Sequence, residues 1–434
     1  MHCSETRADR TTNIFEPTLQ WARVTLPELA SLALLQLAAI LLVCRGIGWA
    51  IGRIRQPQVI AEMIAGFLLG PSLLGWAAPD VSAWLFPAES KPILFVASQI
   101  GLVLYMFCVG AEFRIDLLRQ QGRTAAAVSV AGIAGPLVIG GALALYLYAQ
   151  PGLYADGATR AHAVMFTAAA MAITAFPVLA RIISERGISD TAVGSLALAA
   201  GAIGDAAAWI LLAFVLASFT GDTVLGVLAV GGAAAYVVIL YVGARPILAW
   251  LARRVDGQGR VPASVLALVI VLLALGAWFT DRVGVHSVFG AFLLGVAVPR
   301  GPLATGLRAA IEPLAATLLV PIFFVYSGLN TELGLLDSVA LWSVAGLIFA
   351  VACIGKAVPC WIAARMSGAS QSDAMGVATL MNARGMVELI LLNIGLQQGI
   401  ITPTLFAMMV LMALGTTLMT GPIFSLVWRR RSAG

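Results

Sequence analysis

The chain has 434 residues, of which 60% are hydrophobic and only 11% charged. Apolar stretches of membrane-spanning length recur along almost all of it, which excludes a water-soluble globular protein. The stretches are continuously apolar rather than alternating, which excludes an outer-membrane barrel and leaves an all-α polytopic membrane protein.

The formal net charge of +5 would point to acidic partners in a soluble protein; here it reflects arginine-rich cytoplasmic loops, and no nucleic-acid partner is expected. Five cysteines (Cys3, Cys44, Cys108, Cys353 and Cys360) show neither CxxC nor Cys/His metal spacing, and four lie in apolar stretches as core thiols.

In chain order, residues 1–28 form a polar tail of mixed charge. The apolar stretch that follows from Ala30 is too long for a signal peptide and reads as a retained helix. About 13 spans follow, at roughly 29–50, 58–76, 92–112, 123–148, 161–184, 190–217, 223–249, 263–280, 284–299, 309–329, 338–362, 373–398 and 403–427. With the N-terminus outside, the inside loops and C-terminus hold Arg53, Arg55, Arg119, Arg123, Arg253, Arg254, Arg365 and Arg429, among others. The outside loops hold only Lys91, Arg160 and Arg282. The positive-inside rule therefore places residues 1–28 outside the cytoplasm and the short tail 428–434 inside, across a cytoplasmic membrane.

A weak internal repeat recurs at an offset of about 220 residues. AEMIAGFLLG (61–70) matches HSVFGAFLLG (286–295), and LYMFCVGAEFRIDLL (104–118) matches IFFVYSGLNTELGLL (322–336). Six spans per copy plus one extra span place the second copy upside down, the inverted repeat of secondary transporters. The transmembrane domain, 29–427, thus divides into repeat one (29–217), a linker helix (223–249) and repeat two (263–427).

Several polar residues interrupt these spans. Glu62 and Glu112 lie near span ends, where they face water, and Lys356 lies close enough to the inside end of its span to snorkel. His162 and His286 read as interfacial, with a pH-sensing role the alternative. Pro177, with Thr174 beside it, removes a backbone donor inside span 5 and either breaks or kinks the helix. Asp205 sits in mid-span 6 with no Lys or Arg from Val193 to Phe219. A carboxylate at that depth costs about 2.5–3.5 kcal/mol, which marks it as an ion or proton site or one with a buried partner; the alternative is a structural Asp capping a neighbouring helix break. Span 12 clusters Asn382, Arg384, Gly385 and Glu388 at its centre. Arg384 and Glu388 are four apart and share a helix face, a mainly structural pair; the alternative makes Arg384 the direct counter-ion of Asp205. If that pair is neutral, Asp205 is the one anion left at the midplane, able to hold a proton or a monovalent cation in turn and move no net charge.

At these residues the chain resembles the monovalent cation:proton antiporter family, in the branch of bacterial sodium/hydrogen and Kef- or CHX-like exchangers. The resemblance runs through PQVIAEMIAGFLLGPSLLG (57–75), GLVLYMFCVGAEF (101–113), AITAFPVLARI (172–182) and GAIGDAAAWILLA (201–213). It continues in GVHSVFGAFLLGVAVPR (284–300), PIFFVYSGL (321–329) and LMNARGMVELILLNIGL (380–396). It implies 13 helices in two inverted six-helix repeats with two unwound crossing helices. It also implies a homodimer in which spans 1–3 and 8–10 form the dimer while spans 4–6 and 11–13 carry the ion like an elevator. By the same resemblance Asp205 and Thr174 are ion-binding residues, the former a transient Na+ or K+ ligand. Gly204, Pro177, Asn382, Arg384 and Glu388 support the site.

One departure stands out: the family normally has Asn or Asp immediately before the essential Asp, and this chain has Gly204. Electroneutral exchange survives that change, but a ligand or helix-tethering group is lost. The expectation is exchange of Na+ or K+ for protons, with no cofactor and no enzyme activity. Ion-coupled movement of a small organic solute, or a transport-inactive sensor, are the alternatives.

Overall fold

A computed structural model describes residues 26–53, 58–113, 115–189, 191–220, 223–255, 261–330 and 333–428. Most of the polar tail 1–28, and the basic tail beyond Trp428, lie outside the described residues. The described chain is almost entirely helical; its one β-bridge joins Tyr154 and Ile401.

Its first half comprises α1 (Leu26–Gly52), α2 (Gln58–Leu69), α3 (Leu74–Ala77), α4 (Pro79–Leu85), α5 (Lys91–Glu112) and α6 (Ile115–Tyr148). These are followed by α7 (Arg160–Ala172), α8 (Phe176–Glu185), α9 (Ala192–Thr220), α10 (Thr223–Ile239) and α11 (Arg245–Ala252). The second half comprises α12 (Ala263–Arg282), α13 (Ser287–Ala297), α14 (Pro302–Leu314), α15 (Val320–Leu329) and α16 (Val339–Met366). Last come α17 (Gln371–Leu380), α18 (Met386–Gln397) and α19 (Pro403–Val427). Among the described residues nine helices are long and apolar enough to cross a membrane, and three shorter apolar helices include Ala192–Asp205 and Val387–Gln397.

These helices form because lipid offers backbone groups no partner, so apolar sequence satisfies them internally. Their starts are chemically marked. The side chains of Thr159, Ser338, Ser370 and Thr402 accept from backbone N–H groups three residues on, capping α7, α16, α17 and α19. Proline opens α14 and α19, where its missing donor costs nothing.

Several boundaries differ from expectation. The loop before α5 carries the short helix α4. The stretch at 309–329 begins earlier, at Pro302, and passes through a π-helical turn at Ala315–Leu319 before α15. The stretch at 338–362 runs on to Met366, which matters for Lys356 below.

The helices sort into two packed groups. In one, α1, α2, α5 and α12–α15 pack together; in the other, α6–α9 and α16–α19 do. Within the first group glycines let backbones touch. A Cβ on Gly70 would stand 2.4 Å from Gly328 O, joining α2 to α15, and one on Gly295 would stand 2.2 Å from Phe107 O, joining α13 to α5. The two groups meet across a crevice lined by Met63, Phe67, Phe324 and Ser327 on one side and Leu389 and Val410 on the other.

Candidate functional site

The second group is built on two interrupted helices. After Ala172 the chain leaves the helix for residues 173–175 and resumes as α8 at Phe176. After Leu380 it turns through residues 381–385 before α18. The interruptions touch: Ala175 N donates to Ala383 O at 3.1 Å.

Interrupting a helix exposes the last carbonyls of the first piece, which carry the negative end of its dipole. Two buried cations meet those of α7. Arg384 Nη1 donates to Ala170 O (3.1 Å) and Nη2 to Met171 O (2.8 Å). Lys356 Nζ, from α16, donates to Ala172 O and to Ile173 O (3.0 Å). Both side chains are fully buried.

Lys356 therefore does not snorkel. Because α16 continues to Met366, this lysine lies ten residues before the helix end (366 − 356) and reaches sideways to carbonyls. Its signal was a lone lysine within an apolar run, and only the helix length separates the two readings.

Arg384 is held on several sides. Nη1 also meets Glu388 Oε1 at 3.2 Å, and Glu388 lies in the first turn of α18, where the helix dipole favours an anion. The Arg384 backbone is pinned by Thr417 of α19, whose hydroxyl accepts from Arg384 N (2.9 Å) and lies 2.8 Å from Arg384 O. Sequence reasoning missed Thr417; three threonines at 416, 417 and 420 in an apolar helix were the available sign. Asn382 donates Nδ2 to Ala378 O at 3.1 Å, while its buried Oδ1 has no hydrogen-bond partner among the described residues.

Asp205 is fully buried on α9, which packs against α6, α7, α8 and α17. Thr174 is buried in the first interruption. Gly204 precedes Asp205 and is buried too; Gly385 lies where a Cβ would come 2.8 Å from Val178 Cγ2, so the crossing needs its missing side chain. Pro177 falls in the first turn of α8, a position where proline is tolerated, and its ring lies outside the described residues.

Two expectations about acids divide. Glu62 is buried at 2% exposure on α2, which packs against both α1 and α15, rather than facing water. Glu112 has a side chain 61% exposed and pairs with Arg308 at 3.0 Å. His286 Nδ1 accepts from Val288 N and caps α13.

A polytopic helical bundle with two touching helix interruptions and buried charges around them has the make-up of a secondary transporter. Comparison with known proteins sharpens that class. The family model described as "Sodium/hydrogen exchanger, transmembrane" matches residues 38–430. The chain is 38% identical over 397 residues to the Na(+)/H(+) antiporter NhaS4 of Synechocystis, covering 90% of this chain and 96% of that protein. It is 36% identical to Cation/H(+) antiporter 18 of Arabidopsis thaliana and 33% identical to K(+)/H(+) antiporter 1 of Saccharomyces cerevisiae. It covers 49% and 46% of those longer proteins, and 92% of itself is matched in each case.

Among solved structures, the sodium proton antiporter MjNhaP1 of Methanocaldococcus jannaschii superposes with a TM-score of 0.62 at 18% identity, covering 92% of this chain and 99% of that one. The chain belongs to the sodium/hydrogen exchanger family, whose members are multi-pass membrane transporters rather than enzymes.

Proposed function

We propose that this protein exchanges a monovalent cation, Na+ or K+, for protons across the cytoplasmic membrane, with Asp205 holding cation and proton in turn. The observation that carries this reading is a fully buried carboxylate on α9, packed against both interrupted helices, in a chain of this family. A carboxylate so placed has a use that outweighs its insertion cost. The names of the relatives, one a Na(+)/H(+) and one a K(+)/H(+) antiporter, support either cation.

Thr174 then offers oxygen to the cation from the interrupted segment 173–175. Arg384, Glu388, Asn382, Gly385, Gly204 and Pro177 shape and hold the crossing. Because Arg384 and Glu388 pair with each other at 3.2 Å, Asp205 is the carboxylate left to titrate at the crossing; with Lys356 keeping its protons on the Ala172 and Ile173 carbonyls, one proton replaces one cation without net charge movement.

The architecture follows the same reading: 13 crossings in inverted repeats, 29–217 and 263–427, joined by a linker helix at 223–249. The glycine contacts support it. In the sequence match Gly70 corresponds to Gly295 and Gly110 to Gly328, and the Gly70–Gly328 contact has its counterpart in Gly295 against Gly110, where a Cβ on Gly295 would lie 3.0 Å from Gly110 C. The group α6–α9 with α16–α19 moves as an elevator along the crevice against the other group, which forms a homodimer. The N-terminus lies outside and the C-terminus in the cytoplasm.

Proton flux driven by Na+, K+ or Li+ pulses in proteoliposomes tests the reading. Asp205→Asn is expected to abolish it, and unchanged flux in that variant would contradict the assignment.

A further inference from the structure

Gly204 is unlike the other glycines around the crossing. A Cβ on Gly201 would stand 2.6 Å from Leu179 Cδ2, on Gly385 2.8 Å from Val178 Cγ2, and on Gly132 2.8 Å from Cys360 Sγ, so close packing explains each. Among the described residues, a Cβ on Gly204 would meet just one neighbouring group, Ser129 Oγ, at 3.5 Å, which is ordinary contact. Packing against the described residues therefore does not require glycine beside Asp205. The missing side chain leaves space, and a hydroxyl from α6 borders it.

That hydroxyl is unusual in turn. Buried Ser and Thr hydroxyls in helices ordinarily return to a carbonyl of the preceding turn, as Ser98 does to Phe95 O, Thr280 to Gly276 O, Thr416 to Ala413 O and Thr420 to Thr416 O. Ser129 is 1% exposed, yet its Oγ has no hydrogen-bond partner among the described residues. An unsatisfied buried hydroxyl is costly and calls for a use. Ser129 also lies level with the crossing: one turn on, Gly132 faces Met381, the residue before Asn382.

We propose that Ser129 is a cation-selecting residue of the exchange site, its hydroxyl supplying, across the space left by Gly204, a hard oxygen ligand to the monovalent cation held at Asp205. Small hard cations take neutral and anionic oxygen donors together, and a hydroxyl has lone pairs to offer. The polar group at this point thus comes from α6 instead of from the residue before the aspartate. This inference rests on the reading that Asp205 binds the cation.

Cation-dependent proton flux and cation-dependent thermal shift, both measured on the full chain, test it in wild type, Ser129→Ala, Ser129→Cys, Ser129→Ala with Gly204→Asn, and Asp205→Asn. Both single changes at Ser129 are expected to raise the KM for the cation about tenfold, with kcat within about twofold, the size of one lost bond to a charged group. Cysteine keeps the volume but offers a soft donor, so it guards against a simple packing defect. Adding Gly204→Asn to Ser129→Ala is expected to recover most of the loss by placing a side-chain carbonyl in the same space.

Wild-type KM in both Ser129 variants, with Asp205→Asn silent, would overturn the role of Ser129 and leave Asp205 standing. A fall in kcat and thermal stability without a change in KM would reduce Ser129 to packing and equally overturn it. Wild-type flux in Asp205→Asn would remove the site itself, and this proposal with it.

Discussion

Lys356 and Arg384 divide the carbonyls at the end of α7 between them: residues 172 and 173 go to the lysine, residues 170 and 171 to the arginine. An unsatisfied buried acceptor costs about 1–3 kcal/mol, so Lys356→Met, which keeps bulk but removes the donor, is expected to lower the melting temperature in detergent and slow exchange. An unchanged melting curve would show that the lysine does not hold the interruption. Glu388→Gln removes the anion beside Arg384. Breaking one side of a buried pair costs about 3–5 kcal/mol, reduced here because Arg384 keeps its carbonyl acceptors. Thermal melts of the variant should fall well below wild type, and by more than for Glu112→Gln, whose carboxylate is largely exposed.

Among the elements, the helix pairs α2–α15 and α5–α13 depend on backbone contact at glycine. A Cβ at position 110 would sit 2.1 Å from Phe292 O, and one at position 328 would sit 2.2 Å from Gly66 C. Gly110→Ala and Gly328→Ala are expected to cost about 1–3 kcal/mol each through forced backbone shifts, whereas Gly346→Ala, with open space around it, should be neutral. Yield and melting temperature of the three variants check this. The element level is also where the sequence was most and least legible. Continuous apolar stretches announced a helical membrane protein, and the motifs around Asp205 and Asn382 announced its family. Partners did not show: Glu62 looks peripheral by its position near a span end yet is buried, and Lys356 looks peripheral because α16 runs four residues further than expected (366 − 362). Thr417 shows only as one of three clustered threonines and Ser129 carries no local signature, since what sets them apart is the residue opposite each of them in space.

For the whole molecule, the two helix groups and the crevice between them make a mechanical expectation. Cysteines at Met63 and Val410, which line opposite sides, should arrest exchange when bridged by a short bifunctional reagent in a background without native cysteines. A pair at Phe67 and Phe324, both within the α2–α15 side, should leave exchange intact. Arrest by both pairs, or by neither, would contradict movement along the crevice. The proposed movement matters only if it carries an ion. The most direct measurement is therefore proton flux in proteoliposomes under Na+ and K+ gradients, wild type against Asp205→Asn. Cation-driven flux that vanishes in the variant is the predicted result; flux of wild-type size in the variant would contradict the account.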